Sequence, residues 1–183
     1  EIINKYGLDP LRFYLLKEVS FGNDGNISKE KLENCINSDL ANNYGNLCQR
    51  VISFNEKNLN LEIPKNIKFN NEDLNLLNKF KENHSKIENA INKQDINFYM
   101  NFLMETLFAA NKYFNDQEPW NKKNDTNRLN TIIYVSLELI RKISILMYPI
   151  IPETSLKALN IFNIKEKDIK FNSLINNDFL KQG

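Results

Sequence analysis

Two short constellations in this 183-residue chain carry side chains able to act on a partner. The first is Gly45-Asn46-Leu47-Cys48-Gln49-Arg50. Asn46 and Arg50 stand four apart, so on a helix they are neighbours on one face. An amide offers a donor and an acceptor together, and a guanidinium offers a flat fork of donors that also stacks. That pairing reads exposed base edges. The competing reading has the Arg50 stem lying along the core edge and Asn46 facing water. The second constellation is Glu118-Pro119-Trp120-Asn121-Lys122-Lys123, with the only Trp of the chain at a helix end and two Lys behind it. An indole beside cations grips single-stranded nucleic acid, by base stacking and by phosphate attraction through Lys122 and Lys123. The competing reading is a Trp that plugs the end of a bundle.

Other chemistry finds little material. No Gly-rich phosphate loop, GxSxG, HExxH or CxxC occurs, and no catalytic residue can be named. One His and two Cys do not make a zinc site of the usual kind. His84 falls on an apolar stripe between Phe80 and Ile87 and reads as a structurally satisfied core His, while Asp and Glu fall on expected solvent faces. Lys plus Arg number 24 against 23 acidic residues, so any contact with nucleic acid must be local rather than a broad basic footprint. Asn reaches 32 and Lys outnumbers Arg 20 to 4, a bias spread evenly along the chain, which makes Arg12, Arg50, Arg128 and Arg141 worth individual attention. The longest apolar run, Ile145 to Ile151, is far short of the ~18 residues a membrane span needs. On one continuous helix Cys35 and Cys48 would lie about 20 Å apart, at ~1.5 Å per residue. That is beyond disulfide reach, and reduced thiols suit a cytoplasmic protein. The chain opens at Glu1 without Met, which reads as a piece of something longer.

Helices must position these residues. Asp9-Pro10 opens a first helix running to Val19, and Ser20 to Asn26 is turn chemistry. Ser28 caps the next helix, where Leu32, Ile36, Leu40, Tyr44, Leu47, Val51 and Phe54 form an amphipathic stripe. Either one long helix results, or two nearly in line with a break near 37–43. Residues 59–69 read as a loop. A stripe from Leu74 to Ile91 follows, then a helix capped by Asp95 that carries Tyr99, Leu103, Leu107, Ala110 and Phe114 and is broken at Glu118-Pro119. Asp125 or Thr126 begins a helix that is apolar on most sides, hence central. Pro149 stops it, and Pro152 starts a last helix through Phe162. The expected fold is all-α, a helical bundle of five or six helices.

The order of segments resembles a known family. Tyr6-Gly7-Leu8-Asp9-Pro10-Leu11-Arg12-Phe13-Tyr14-Leu15-Leu16 is similar to the stretch after the KMSKS loop of class I aminoacyl-tRNA synthetases. Phe21 to Ser28, Asn37 to Leu47 with Arg50, Ala109-Ala110-Asn111-Lys112-Tyr113 with Pro119-Trp120, and Leu146 to Thr154 resemble methionyl-tRNA synthetases of the bacterial type. The likeness spans about residues 1 to 162 in family order.

What the resemblance implies is an anticodon-binding domain whose positions Asn46, Arg50 and Trp120 recognise the CAU anticodon of tRNA for methionine. It implies a parent methionine–tRNA ligase using ATP with magnesium as substrate, with this piece selecting tRNA and inactive by itself. Its partners would be that tRNA and the parent's own catalytic domain; no membrane and no metal or cofactor in this piece are implied, and the parent is expected to be monomeric and cytoplasmic. The family's HIGH-like and KMSKS-like segments and its zinc-binding cysteines do not occur in these residues. Residues 1–22 would connect to the catalytic domain, 23–164 form the anticodon-binding bundle, and 165–183 make a tail without the family's Leu-Phe-Pro-Arg-like closing segment. The alternatives are the corresponding domain of another class I synthetase, or a helical protein-interaction module with no RNA role.

Overall fold

A computed structural model describes residues 2–19, 25, 27–177 and 180. Among them there is no strand. The α-helices are α1 (Ile2–Tyr6), α2 (Leu8–Glu18), α3 (Lys29–Cys35), α4 (Asn46–Leu59), α5 (Asn71–Asn92), α6 (Ile96–Gln117), α7 (Thr126–Met147) and α8 (Pro152–Ile161). A π-helical segment, Ile36–Gly45, joins α3 to α4 without a break. With that rod taken as one helix and the single-turn α1 set aside, the bundle has six helices, as the apolar stripes predict. No helix of the described residues is long and apolar enough to cross a membrane.

Local chemistry sets the helix ends. Ser28 caps α3 by accepting from the Lys31 N–H, Asp95 caps α6 from Phe98 N–H, and Asp125 caps α7 from Arg128 N–H. Asn70 and Asp73 form a reciprocal capping box on α5. The start of α2 differs from the sequence expectation. Gly7 is its N-cap, at φ +89°, a conformation that favours glycine, and Asp9 lies inside the first turn. The buried Asp9 carboxylate reaches instead to α8, accepting the Thr154 N–H at 2.8 Å. There it supplies the cap that α8 lacks from its own Ile151. Arg12 reinforces the same joint by donating to the Pro149 carbonyl at 2.7 Å. The turn expected at 20–26 lies outside the described residues apart from Gly25.

α7 is the axis of the bundle. Every residue from Thr131 to Met147 is buried, and the helix packs against α4, α5, α6 and α8. Its burial extends to three charges, Glu138, Arg141 and Lys142, contrary to the expectation that carboxylates lie on solvent faces. The segment after α8 explains them. It forms 3-10 turns at Glu166–Asp168 and Phe171–Ile175 and lies back across α7, with Leu174 and Leu180 buried. Irregular backbone has no ladder for its carbonyls, and buried carbonyls need donors. Arg141 donates to the Ser173 and Asn176 carbonyls at 3.1 and 3.3 Å, and Lys142 to the carbonyls of Leu174 and Asn176. Glu138 accepts from Arg141 Nε at 2.6 Å and from the Leu180 N–H at 3.0 Å.

His84 packs its ring on Phe171 of this strap, with centroids 4.4 Å apart. Its Nε2 is buried without a hydrogen-bond partner among the described residues and the residue is only partly buried, so the expectation of a satisfied core His does not hold at that atom. Cys35 and Cys48 are both free thiols. Burial pushes each up to about 12, which keeps them protonated at neutral pH.

Candidate anticodon-binding surface

Asn46 and Arg50 occupy the first two turns of α4, directly after the π segment. π-Helical bonding spans one residue more than α-helical bonding and is found often at functional sites. Here the Asn46 N–H reaches back to the Ala41 carbonyl. A side chain at Gly45 would bring its Cβ to 3.2 Å from the Leu40 carbonyl oxygen, so the close approach of backbone favours glycine there. The segment is locked laterally to α6, where the Asn111 amide donates to Asn43 Oδ1 at 2.6 Å.

Asn46 is exposed and Arg50 is partly buried. Arg50 neither reaches freely into solvent nor runs along the core edge alone. Its Nη2 donates to Asn115 Oδ1 on α6 at 2.6 Å, and its guanidinium carbon lies 5.3 Å from the centre of the Phe114 ring. Trp120 meets the same ring. The indole stands edge-on to Phe114 with centroids 6.2 Å apart and planes at 73°. Phe114 is itself buried and braced by Phe54 of α4 in a second edge-to-face contact. One core phenyl therefore forms a shared base for Arg50 and Trp120, which lie 70 residues apart in sequence. Sequence reasoning placed Phe114 only in the apolar stripe of α6 and gave no role to Asn115.

Trp120 is 41% exposed, with the indole against the buried Phe114. Its turn is a 3-10 helix, Pro119–Asn121, entered through Glu118 in a left-handed conformation at φ 44°. Buried Pro119 anchors the turn, and Asn121 bonds the Glu118 carboxylate at 3.0 Å. Lys122 and Lys123 follow, both exposed. The structure thus brings Arg50 and Trp120 onto one ring, leaves Asn46 on the adjoining turn of α4, and sets the two Lys beyond the indole.

Sequence models of known families match both halves of the chain. That of the anticodon binding domain of methionyl tRNA ligase covers residues 63–183, and that of class I (M) tRNA synthetases covers residues 1–52. The chain belongs to the methionyl-tRNA ligase anticodon-binding family. The methionine–tRNA ligase of Brucella suis biovar 1 is 36% identical over 165 residues, covering 90% of this chain and 32% of the relative. That of Thermotoga maritima is 33% identical over 170 residues, covering 92% and 27%. The apo crystal structure of Mycobacterium tuberculosis methionyl-tRNA synthetase superimposes with a TM-score of 0.92 at 31% identity, over all of this chain and 37% of that one. A structure of the same enzyme with methionyl-adenylate matches equally, at 0.92. The chain thus spans about a third of the length of these relatives. The methionine-specific match displaces the alternative of another class I synthetase.

Within this anticodon-binding domain a second polar centre lies behind the candidate surface. Asp73, fully buried, accepts both guanidinium arms of Arg128 at 2.6 and 3.0 Å and the Tyr113 hydroxyl at 2.6 Å. Sequence reasoning missed it because the partners stand 40 and 55 residues apart. Burial opposes ionisation of Asp73, but Arg128, the Tyr113 hydroxyl and the Asn70 N–H outweigh it and hold the carboxyl below the ordinary aspartate range. A depressed folded-state value adds stability above the unfolded value of about 3.9, and that stability is lost as pH falls through the folded value. Acid titration of unfolding free energy should therefore show a loss beginning below pH about 4. Asp73→Asn should lower stability at neutral pH and flatten that acid limb; an unchanged limb in the variant refutes the assignment.

Proposed function

We propose that Asn46, Arg50 and Trp120 form the surface by which this domain reads the CAU anticodon loop of tRNA for methionine. The observation that carries the reading is the shared Phe114 ring. A cation with planar donors and an exposed indole are held side by side, as base-edge recognition and base stacking require. Asn46 adds an amide one helical turn from Arg50, and Lys122 and Lys123 supply phosphate attraction next to the indole. On this reading residues 1–183 contribute tRNA selection and no bond-making. The parent is a methionine–tRNA ligase that consumes ATP, with magnesium, through an aminoacyl-adenylate, acting as a monomer in the cytoplasm, a setting that accords with the two free thiols.

The parent's catalytic domain is the second partner. Ile2 and Ile3 of α1 and Leu8 and Leu15 of α2 are exposed, an apolar seat suited to a neighbouring domain. Residues 1–22 are the connecting segment, tied to the bundle by Asp9 and Arg12, and the bundle proper is 23–164.

Trp120→Ala tests the site. Loss of a stacked indole should weaken binding of a CAU-loop hairpin by about 1–3 kcal/mol, with Trp120→Phe recovering part. The helical fold should remain cooperative, since the ring is largely outside the core. If instead stability falls by about 3–5 kcal/mol, as for a deleted core aromatic, and hairpin binding is unchanged, the site is elsewhere.

A further inference from the structure

The turn that carries Trp120 is closed by side chains from its two flanks. Gln117 is the last residue of α6, and Arg128 lies in the first turn of α7, so the two bracket the 118–125 connection. Arg128 Nη2 donates to Gln117 Oε1 at 2.5 Å while the same guanidinium grips Asp73. Gln117 Nε2 donates in turn to Glu72 at 2.8 Å. Glu72 and Asp73 are successive residues in the first turn of α5. Three helix ends, the starts of α5 and α7 and the end of α6, are thereby pinned together across the two flanks of the turn.

Trp120 itself has weak hold on its own position. Among the described residues its ring contact is one edge-to-face approach to Phe114, and much of it is exposed. A half-exposed aromatic in an eight-residue excursion would otherwise sample several orientations, and ordering it would fall to the binding step. The Gln117–Arg128 bond removes much of that freedom beforehand by fixing both ends of the excursion.

The geometry points to Gln117 and Arg128 as positioning residues that set the Trp120 indole for a base of the anticodon loop, a role resting on the site reading above. Neither residue need touch RNA. Their effect is exerted through Trp120, in the pre-ordering of the turn.

The chain has a single indole, so its fluorescence reports the turn alone. Gln117→Leu keeps the bulk and removes the bonds to Arg128 and Glu72, whereas the paired exchange Gln117→Glu with Glu72→Gln keeps an acceptor for Arg128 and an amide donor between the two positions. The variants are compared with the parent sequence for acrylamide quenching of Trp120, melting temperature, and binding of hairpins with a CAU or an altered loop. Gln117→Leu should quench more readily and bind the CAU hairpin about 2–10-fold more weakly, the scale of ordering one or two side chains. The paired exchange should recover most of both, and Arg128→Lys, where it folds, should behave like Gln117→Leu. A lower melting temperature with unchanged quenching and unchanged CAU affinity overturns the proposal and leaves a purely structural bond. Trp120→Ala run in parallel separates the two levels. If that variant keeps full CAU affinity, the site reading falls and the positioning role with it. If it loses affinity while Gln117→Leu does not, only the positioning role falls.

Discussion

Glu138→Ala should cost about 3–5 kcal/mol of folding stability, the size expected when one member of a buried ion pair is removed. Glu138 and Arg141 are both fully buried, and Glu138 also receives the Leu180 N–H. The substitution strips a buried anionic partner from Arg141 and leaves a strap amide without its acceptor. At roughly 2–4 °C per kcal/mol for a chain of this size, the melting temperature should fall by about 10 °C. Replacing both partners by Met offers a sharper check. A buried ion pair can often be exchanged for apolar residues at little cost, because its attraction barely exceeds its desolvation penalty. Here Arg141 also serves the Ser173 and Asn176 carbonyls, so the double variant should remain clearly destabilised. A double variant as stable as the parent sequence shows that the strap does not depend on Arg141.

The same buried charges show where the amino-acid sequence stops being readable. The central place of α7 follows from its nearly all-round apolar surface, and the structure agrees. Glu138 and Arg141, spaced three apart, have the pattern of an ordinary solvent-face pair. Only the return of residues 173–177 and Leu180 over that face turns them into a buried network, and no local signal announces it. Asp73 is hidden in the same way, since its partners lie on α6 and α7.

The π segment is a different case, because its signal is present but ambiguous. Leu32, Ile36, Leu40 and Tyr44 are spaced by four, four and four. Four α-helical residues turn through about 400°, so such a stripe drifts around an α-helix. A π-helix, having more residues per turn, drifts the opposite way, so an α segment followed by a π segment offsets the two drifts, and the backbone takes that course through the Asn-rich stretch instead of breaking. From Tyr44 onward the steps of three and four return, and so does the α-helix. Asn46, Arg50 and Trp120 were legible by type, spacing and family resemblance. Phe114, the common base of Arg50 and Trp120, was not, because an aromatic in an apolar stripe looks like any other core residue.

Arg50→Ala should relax loop discrimination rather than weaken RNA binding evenly. Arg50 is oriented before any ligand arrives, by its bond to Asn115 and by its place over Phe114. Among the described residues Asn115 takes one Nη2 bond, which leaves further guanidinium donors for a base edge. A residue that reads a base loses about 1–3 kcal/mol for the correct loop on truncation and little for an incorrect one. A residue that contacts phosphate weakens all loops alike and lowers the salt slope by about one ion. Arg50→Lys separates the two roles further, because Lys keeps the charge but lacks the planar fork. Base reading predicts that Arg50→Lys resembles Arg50→Ala in lost CAU preference, with the salt dependence unchanged in both. Phosphate contact predicts that Lys restores binding and that Ala alone alters the slope. Titrations of CAU and altered-loop hairpins at several salt concentrations decide between them. A uniform loss with a reduced slope in Arg50→Ala removes Arg50 from the reading surface and leaves Asn46 and Trp120 to account for specificity.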